Sequence, residues 1–421
     1  MSAADAAGFR GRPSVVVTAL GITQTLAWGS TYYLPAVLAD PICESLHVSR
    51  SWFFGIFSAS LLLSGLLGPA AGRMIDRHGG RDVLAGTSLV FAAGLALLSM
   101  AAGIVGLSAA WAVIGVGMGF GLYEAAFATA AGLYGRDARN AITGITLFAG
   151  FASTVGWPAS ALFTDAFGWR GACLIWAALH LLLGLPLNRL LVPKALPAAT
   201  ETVPGEAPDD VPWTMIVLAG VFAASWFVAT AMAAHLPRLL EALGATPVTA
   251  VAAAALVGPA QVGARLFEFG FLRRFSPLVS ARLATALHPI AAALLAIIGA
   301  PAAILFTLLH GGGNGMLTIA RGTLPLALFG AAGYGLRTGL LAAPSRILQG
   351  GAPLLFSLVL DKGGPRYALA VVWSAHRSGF RSPAVRAWAS PGNTPGVRCF
   401  WAGLSTTGSP SKREPHAERA R

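Results

Sequence analysis

Apolar residues in this chain come in long runs separated by short polar segments. The runs cover approximately 14–38, 52–71, 82–104, 107–132, 141–164, 171–192, 213–236, 248–269, 279–300, 302–320 and 338–359, and a twelfth starts at 367. A helix needs about 20 apolar residues to cross a bilayer, so each complete run is long enough to do so. Only helices and closed barrels can satisfy their backbone groups in lipid. Runs of this length are unlike the short alternating strands of an outer-membrane barrel. The pattern therefore predicts an all-α polytopic membrane protein, eleven spans and an incomplete twelfth, with the lipid bilayer as its surroundings.

Composition agrees. Charged residues make up 11% of the 421 residues and the mean hydropathy is +0.68, far from the surface chemistry of a soluble domain of this size. The net charge of +12 does not point to nucleic acid, because the basic residues sit at the ends of apolar runs or in the C-terminal tail, with no basic and aromatic stripe. Three scattered cysteines, Cys43, Cys173 and Cys399, predict neither a disulfide framework nor a zinc site. Residues 1–13 read as a short cytoplasmic arm and not as a cleavable signal.

Lys and Arg set the expected orientation. With the N-terminus inside, the inner segments hold 15 basic residues, Arg73, Arg77, Arg81, Arg265 and Arg321 among them, against 5 outside. Arg346 and the tail stand apart from this count. The orientation expected is a multi-pass inner (plasma) membrane protein with a cytoplasmic N-terminus. The Pro- and Ala-rich segment 193–212, with Glu201, Glu206, Asp209 and Asp210, reads as a cytoplasmic linker between an N-terminal bundle over 1–192 and a C-terminal bundle over 213–373.

The two parts echo one another. Gly68-Pro69-Ala70, followed by Gly72, Arg73 and Asp76, returns as Gly258-Pro259-Ala260, followed by Gly263, Arg265 and Glu268. The Gly115–Gly121 stretch returns as His310–Gly315, Gly156-Trp157-Pro158 as Gly351-Ala352-Pro353, and Gly168-Trp169-Arg170 as Gly364-Pro365-Arg366. The four pairs are collinear at a spacing of roughly 190–196 residues, which argues for a duplicated six-span unit.

The segment between the second and third runs reads Gly72-Arg73-Met74-Ile75-Asp76-Arg77-His78-Gly79-Gly80-Arg81. Its glycines allow a tight turn, and Asp76 can accept hydrogen bonds from a helix N-terminus or a neighbouring arginine. The pattern G-x-x-x-D-R-x-G-x-R, carried by Gly72, Asp76, Arg77, Gly79 and Arg81, resembles the loop signature of the major facilitator superfamily of bacterial transporters. The resemblance covers 14–373. It implies two six-helix bundles, alternating access around a midplane site, a gating latch at this loop, and a monomer that moves a small solute without a cofactor. In the fifth run, Gly144, Gly150, Gly156 and Pro158 resemble, in reduced form, the glycine-and-proline signature of the superfamily's exporters. Trp157 interrupts the pattern, so export and plain helix packing both remain open readings.

Ionisable and polar residues inside spans are costly and mark candidate sites. Glu124 in the fourth run is the candidate proton carrier, with a structural pairing as its rival reading. Arg346, two residues after Pro344 in the eleventh run, is the candidate for an anionic group on the substrate, with an ion pair to Glu124 as the alternative. His310 and Asn314 are spaced to share one helix face. Trp28 and Tyr32 in the first run and Gln261 in the eighth are candidate cavity residues. There is no G-x-x-x-x-G-K-[ST], no H-E-x-x-H, no zinc spacing and no nucleophile elbow. The function expected is secondary, proton-coupled transport of a small solute and not enzymatic catalysis, with no metal, cofactor or nucleic acid. Two alternatives stand beside it: a membrane sensor on a transporter scaffold, and an inactive copy.

The tail motivates the last alternative. After Trp373 the chain turns to Arg, Ser, Pro and Gly, with eight Lys/Arg against two Glu over 374–421, a composition that does not span a bilayer. Either this is a basic tail at the membrane surface, or a change of reading frame has replaced the end of the twelfth span. Translation of the adjacent frame is expected to restore an apolar helix if the second account holds, and its failure to do so would remove that account.

Overall fold

The computed structural model describes residues 12–194 and 211–380. Most of the 193–212 segment, and the tail from 381 onward, lie outside the described residues. Every regular element among those described is helical. The first part contains α1 (Pro13–Ser30), α2 (Pro35–Leu46), α3 (Arg50–His78), α4 (Gly80–Ser99), α5 (Ile104–Gly121), α6 (Tyr123–Tyr134), α7 (Ala138–Ala149) and α8 (Ala152–Leu179). The second contains α9 (Val211–Ala242), α10 (Pro247–Ala255), α11 (Val257–Gly270), α12 (Pro277–Ile298), α13 (Ala303–Phe329) and α14 (Tyr334–Phe380). Eight stretches among the described residues are long and apolar enough to cross a membrane. The protein is an all-α polytopic membrane protein. Large apolar side chains such as Leu66, Leu162, Leu182 and Ile297 point outward, as a lipid-facing surface requires.

The 47 residues of α14 would make a straight rod of about 70 Å, more than twice the ~30 Å hydrocarbon core. Gly364 breaks it at φ 76°, ψ 176°. Gly168 breaks α8 at φ 70°, ψ 170°. Both conformations belong to glycine, and these are the two glycines paired by the sequence repeat. Beyond Gly364 the helix continues through the basic positions to Phe380.

Four runs read as continuous are divided, the eighth run among them, at Leu256 between α10 and α11. The first stops at Ser30 and restarts at Pro35, since proline lacks the N–H that would continue the ladder. The fourth breaks at Leu122, whose backbone is extended (φ −86°, ψ −167°), so α6 begins inside the bundle. The fifth is divided at Gly150 and Phe151. The tenth runs nine residues past its expected end at 320, to Phe329. This corrects the charge count. Arg321, taken as a loop residue, sits within α13, and Arg265 is 5% exposed within α11. Neither belongs to an inner loop, although the remaining inner excess keeps its sign.

Buried side chains divide the same way. One core cluster draws nearly all its members from Val16–Val192, and the others come from Leu218–Val372. The two halves meet closely along α3 and α14. A Cβ on Gly339 would lie 2.5 Å from the Gly68 carbonyl, one on Gly335 would lie 2.6 Å from the Gly72 carbonyl, and one on Gly65 would lie 2.7 Å from the Cβ of Arg346. Spacings of three and four residues put Gly65, Gly68 and Gly72 on one face, the small-residue geometry that lets membrane helices touch.

At the end of this seam Gly335 N–H donates to Asp76 Oδ1 and Leu336 N–H to Asp76 Oδ2, both at 2.9 Å. A carboxylate from one half thus caps the first turn of a helix in the other, where free N–H groups and the helix dipole favour negative charge. Gly79 closes α3 at φ 80°, its N–H donating to Ile75 O at 2.8 Å. Arg77 is exposed, and Arg81 pairs with Asp82 at 3.1 Å. Asp76→Asn should weaken the cap by about 1 kcal/mol. Hydrogen exchange at the amides of Gly335 and Leu336 is expected to quicken roughly fivefold, and unchanged protection would show that the cap does not hold this turn.

Candidate functional site

The break at Leu122 places Glu124 in the first turn of α6, within the bundle and at the favoured end of a helix dipole for an anion. Its carboxylate faces two arginines of the other half. Arg321 of α13 donates to Oε1 at 3.2 Å, and Arg346 of α14 donates to Oε2 at 3.4 Å. The side chains are 21%, 11% and 4% exposed, respectively, so water screens these contacts weakly. One carboxylate is shared by two guanidinium groups, and its two oxygens tie it to two helices at once.

Each partner is held in turn. Gly65 makes room for the stem of Arg346. Arg346 also donates to Gln349 Oε1 at 3.2 Å, and Gln349 Nε2 donates to the Tyr32 hydroxyl at 2.9 Å. The Arg346 guanidinium lies 5.4 Å from the Trp28 ring and 5.9 Å from the Trp226 ring, while Arg321 lies 4.7 Å from Trp226. Trp28 and Trp226 are parallel with centroids 6.5 Å apart, and Trp28 also touches Tyr32 at 5.3 Å and Tyr123 at 5.0 Å. Electron-rich ring faces stabilise cations that cannot be hydrated. The space left beside Glu124, lined by Tyr123, Phe127, Phe222, Thr318, Thr338 and Leu341, is about 20 Å³, room for about one water. The halves are closed around this charge cluster.

Other expected positions fall elsewhere. His310 and Asn314 share a face of α13 and bond to each other, Asn314 Nδ2 to His310 Nε2 at 3.0 Å. Asn314 Oδ1 stands 3.1 Å from His288 Nε2, and His288 Nδ1–H donates to Ala284 O at 3.0 Å. His288 thus completes a polar row across α12 and α13. Gln261 accepts from Arg265 Nη2 at 3.4 Å. On the loop side, Arg139 donates to Phe275 O at 2.5 Å and pairs with Glu268 at 3.6 Å, while Ser280 donates to Glu268 Oε1 at 2.9 Å.

Sequence reading missed Arg321, Arg265, Trp226, Tyr123 and Gln349. Arg321 had a usable signal: the residues after it, Gly-Thr-Leu-Pro-Leu-Ala-Leu-Phe, continue the apolar run. Trp226 and Gln349 had none, because Trp28, which stacks on Trp226, and Tyr32, which accepts from Gln349, are remote from them in the sequence.

Comparison with known proteins fits this architecture. The family model described as Major Facilitator Superfamily matches residues 20–353. No curated protein matches the chain by sequence. Among solved structures, the proton:xylose symporter XylE superposes with a TM-score of 0.69 at 13% identity, covering 93% of this chain and 100% of its own. The human organic anion transporter MFSD10 gives 0.67 at 16%, covering 88% and 98%. The E. coli fucose:proton symporter FucP gives 0.67 at 15%, covering 87% and 98%. These likenesses concern the fold.

Removing the shared anion leaves two buried guanidinium groups without a counter-charge. Glu124→Gln is expected to cost about 2–4 kcal/mol, read as a lower melting temperature of the purified protein. Adding Arg346→Gln to it should recover part of the loss. A melting temperature unmoved by Glu124→Gln would mean that the pairing does not stabilise the closed bundle.

Proposed function

The chain belongs to the major facilitator superfamily and is a secondary transporter by family and fold; from that premise we propose that Glu124 couples solute movement to protons. The observation that carries this is the bridge itself. A carboxylate of one half is tied to Arg321 and Arg346 of the other, at the level where alternating access requires the halves to part. A proton on Glu124 removes its charge and both ion pairs, and leaves two arginines repelling one another on the same side of the seam. At 4 Å and an effective dielectric near 20, each pair amounts to about 4 kcal/mol, enough to shift a two-state equilibrium by orders of magnitude. Protonation therefore favours the separated state, and deprotonation favours the closed one.

The Asp76 cap and the glycine contacts of α3 and α14 act as the gate at the loop end. Gly72, Asp76, Arg77, Gly79 and Arg81 form that gate, which faces the cytoplasm in the orientation the basic residues favour. The surplus of buried positive charge favours an anionic solute, and the glycine–proline run of α7 and α8 favours export. The protein works as a monomer in the inner membrane.

The test is pH-gradient-driven flux of small organic acids and drugs in proteoliposomes. For a solute the wild type accumulates, Glu124→Gln should abolish uphill accumulation, while exchange of that solute at equal concentrations continues. Uphill accumulation that survives in Glu124→Gln would remove this residue from proton coupling. Absence of flux from folded wild type for every solute tried would turn the reading toward a sensor.

A further inference from the structure

Among the described residues three arginines are buried between the halves, and the charge of one has no partner there. Arg321 and Arg346 share Glu124. Among the described residues no carboxylate pairs with Arg265. Its side chain makes one long hydrogen bond, to Gln261 Oε1 at 3.4 Å, and its Nε has no acceptor. The residue is 5% exposed. An unpaired charge in the interior costs several kcal/mol, and arginine does not relieve that cost by losing a proton.

Its position is as telling as its charge. Arg265 belongs to α11 in the C-terminal half, yet its guanidinium lies across Gly150, the joint of α7 and α8 in the N-terminal half. A Cβ at Gly150 would collide with Arg265 Nη1. From that joint α8 runs against the helix that carries Trp28: a Cβ on Gly29 would lie 3.4 Å from Gly156, Tyr33 packs on Trp157 at 5.7 Å, and Tyr33 and Tyr123 pack on Trp28 at 6.3 and 5.0 Å. The indole N–H groups of Trp28 and Trp226 are also buried donors with no acceptor. The region thus offers a fixed positive charge and several N–H donors beside aromatic faces. Its complement is an oxyanion on a flat or apolar body. A guanidinium fork matches a carboxylate in particular, two N–H groups to two oxygens.

We infer that Arg265, steadied by Gln261, receives the carboxylate of a small organic acid, and that Trp28 and Trp226 pack against the body of that acid. The inference rests on the transporter reading above and adds its substrate class. It also divides the labour among the arginines: Arg321 and Arg346 answer to Glu124, and Arg265 answers to the substrate. A carboxylate on Arg265 supplies negative charge at the seam beside Gly150, as Glu124 does at its own position, so a loaded site favours closure of the halves.

Purified full-length protein in nanodiscs, titrated with benzoate, succinate, lactate and the neutral benzamide, tests this through quenching of tryptophan fluorescence. The expected result is saturable quenching by at least one of the acids and none by benzamide. Arg265→Gln should weaken that acid at least about tenfold, with Arg265→Lys intermediate. Without ligand, Arg265→Gln should melt no lower than the wild type, because an unpaired charge has been removed. Undiminished acid binding by Arg265→Gln, equal binding of benzamide, no binding of any of the three acids by folded wild type, or a markedly lower melting temperature of Arg265→Gln would overturn the assignment. Arg265-dependent acid binding without gradient-driven uptake of the same acid in proteoliposomes would remove the transporter reading and leave the site. Uptake of neutral solutes by a protein that binds no carboxylate would do the reverse.

Discussion

A guanidinium group cannot lose its charge, and leaving that charge unanswered in a low-dielectric interior costs several kcal/mol. That constraint organises the middle of this protein. Glu124 answers two arginines at once because it has two oxygens and because Leu122 breaks the helix in front of it, which delivers the carboxylate on a fresh helix N-terminus inside the bundle. Gly65 clears the way for the stem of Arg346, and Gln349, Tyr32, Trp28 and Trp226 hold its head. Each of these features would be a local cost alone: an extended residue in a span, a glycine in a helix, a buried ion. Together they satisfy one another.

The same device recurs at the loop end of the bundle with backbone groups in place of arginines. Asp76 lies at the end of α3 and caps the start of α14. Its repeat counterpart, Glu268 near the end of α11, faces Arg139 at the start of α7. Both are carboxylates of one half that hold the first turn of a helix in the other. The glycines along α3 and α14 allow backbones to touch between the Asp76 level and the Glu124 level. The two ties share α14, which meets α3 at the Asp76 cap and α6 at Glu124, so a charge change at Glu124 can bear on the cap through that one helix.

The sequence by itself determined the solvent, the number of long runs and the repeat. Those are local or periodic properties: a bilayer demands about 20 apolar residues at a stretch wherever they occur, and a duplicated unit leaves collinear traces. Gly168 and Gly364, paired by sequence alone, break their helices with nearly the same torsions. Glu124 and Arg346 stood out because charge in a span is conspicuous. The partners of those charges were decided only by the tertiary structure. Arg321 reads as a loop residue and Arg265 as a charge at the inner end of its run until helix lengths and rotations place them inside, and no local pattern marks Trp226 or Gln349. Which side chains meet depends on how two helical bundles turn against each other, over separations such as the 197 residues between Glu124 and Arg321. A linear pattern does not carry that rotation, and packing does.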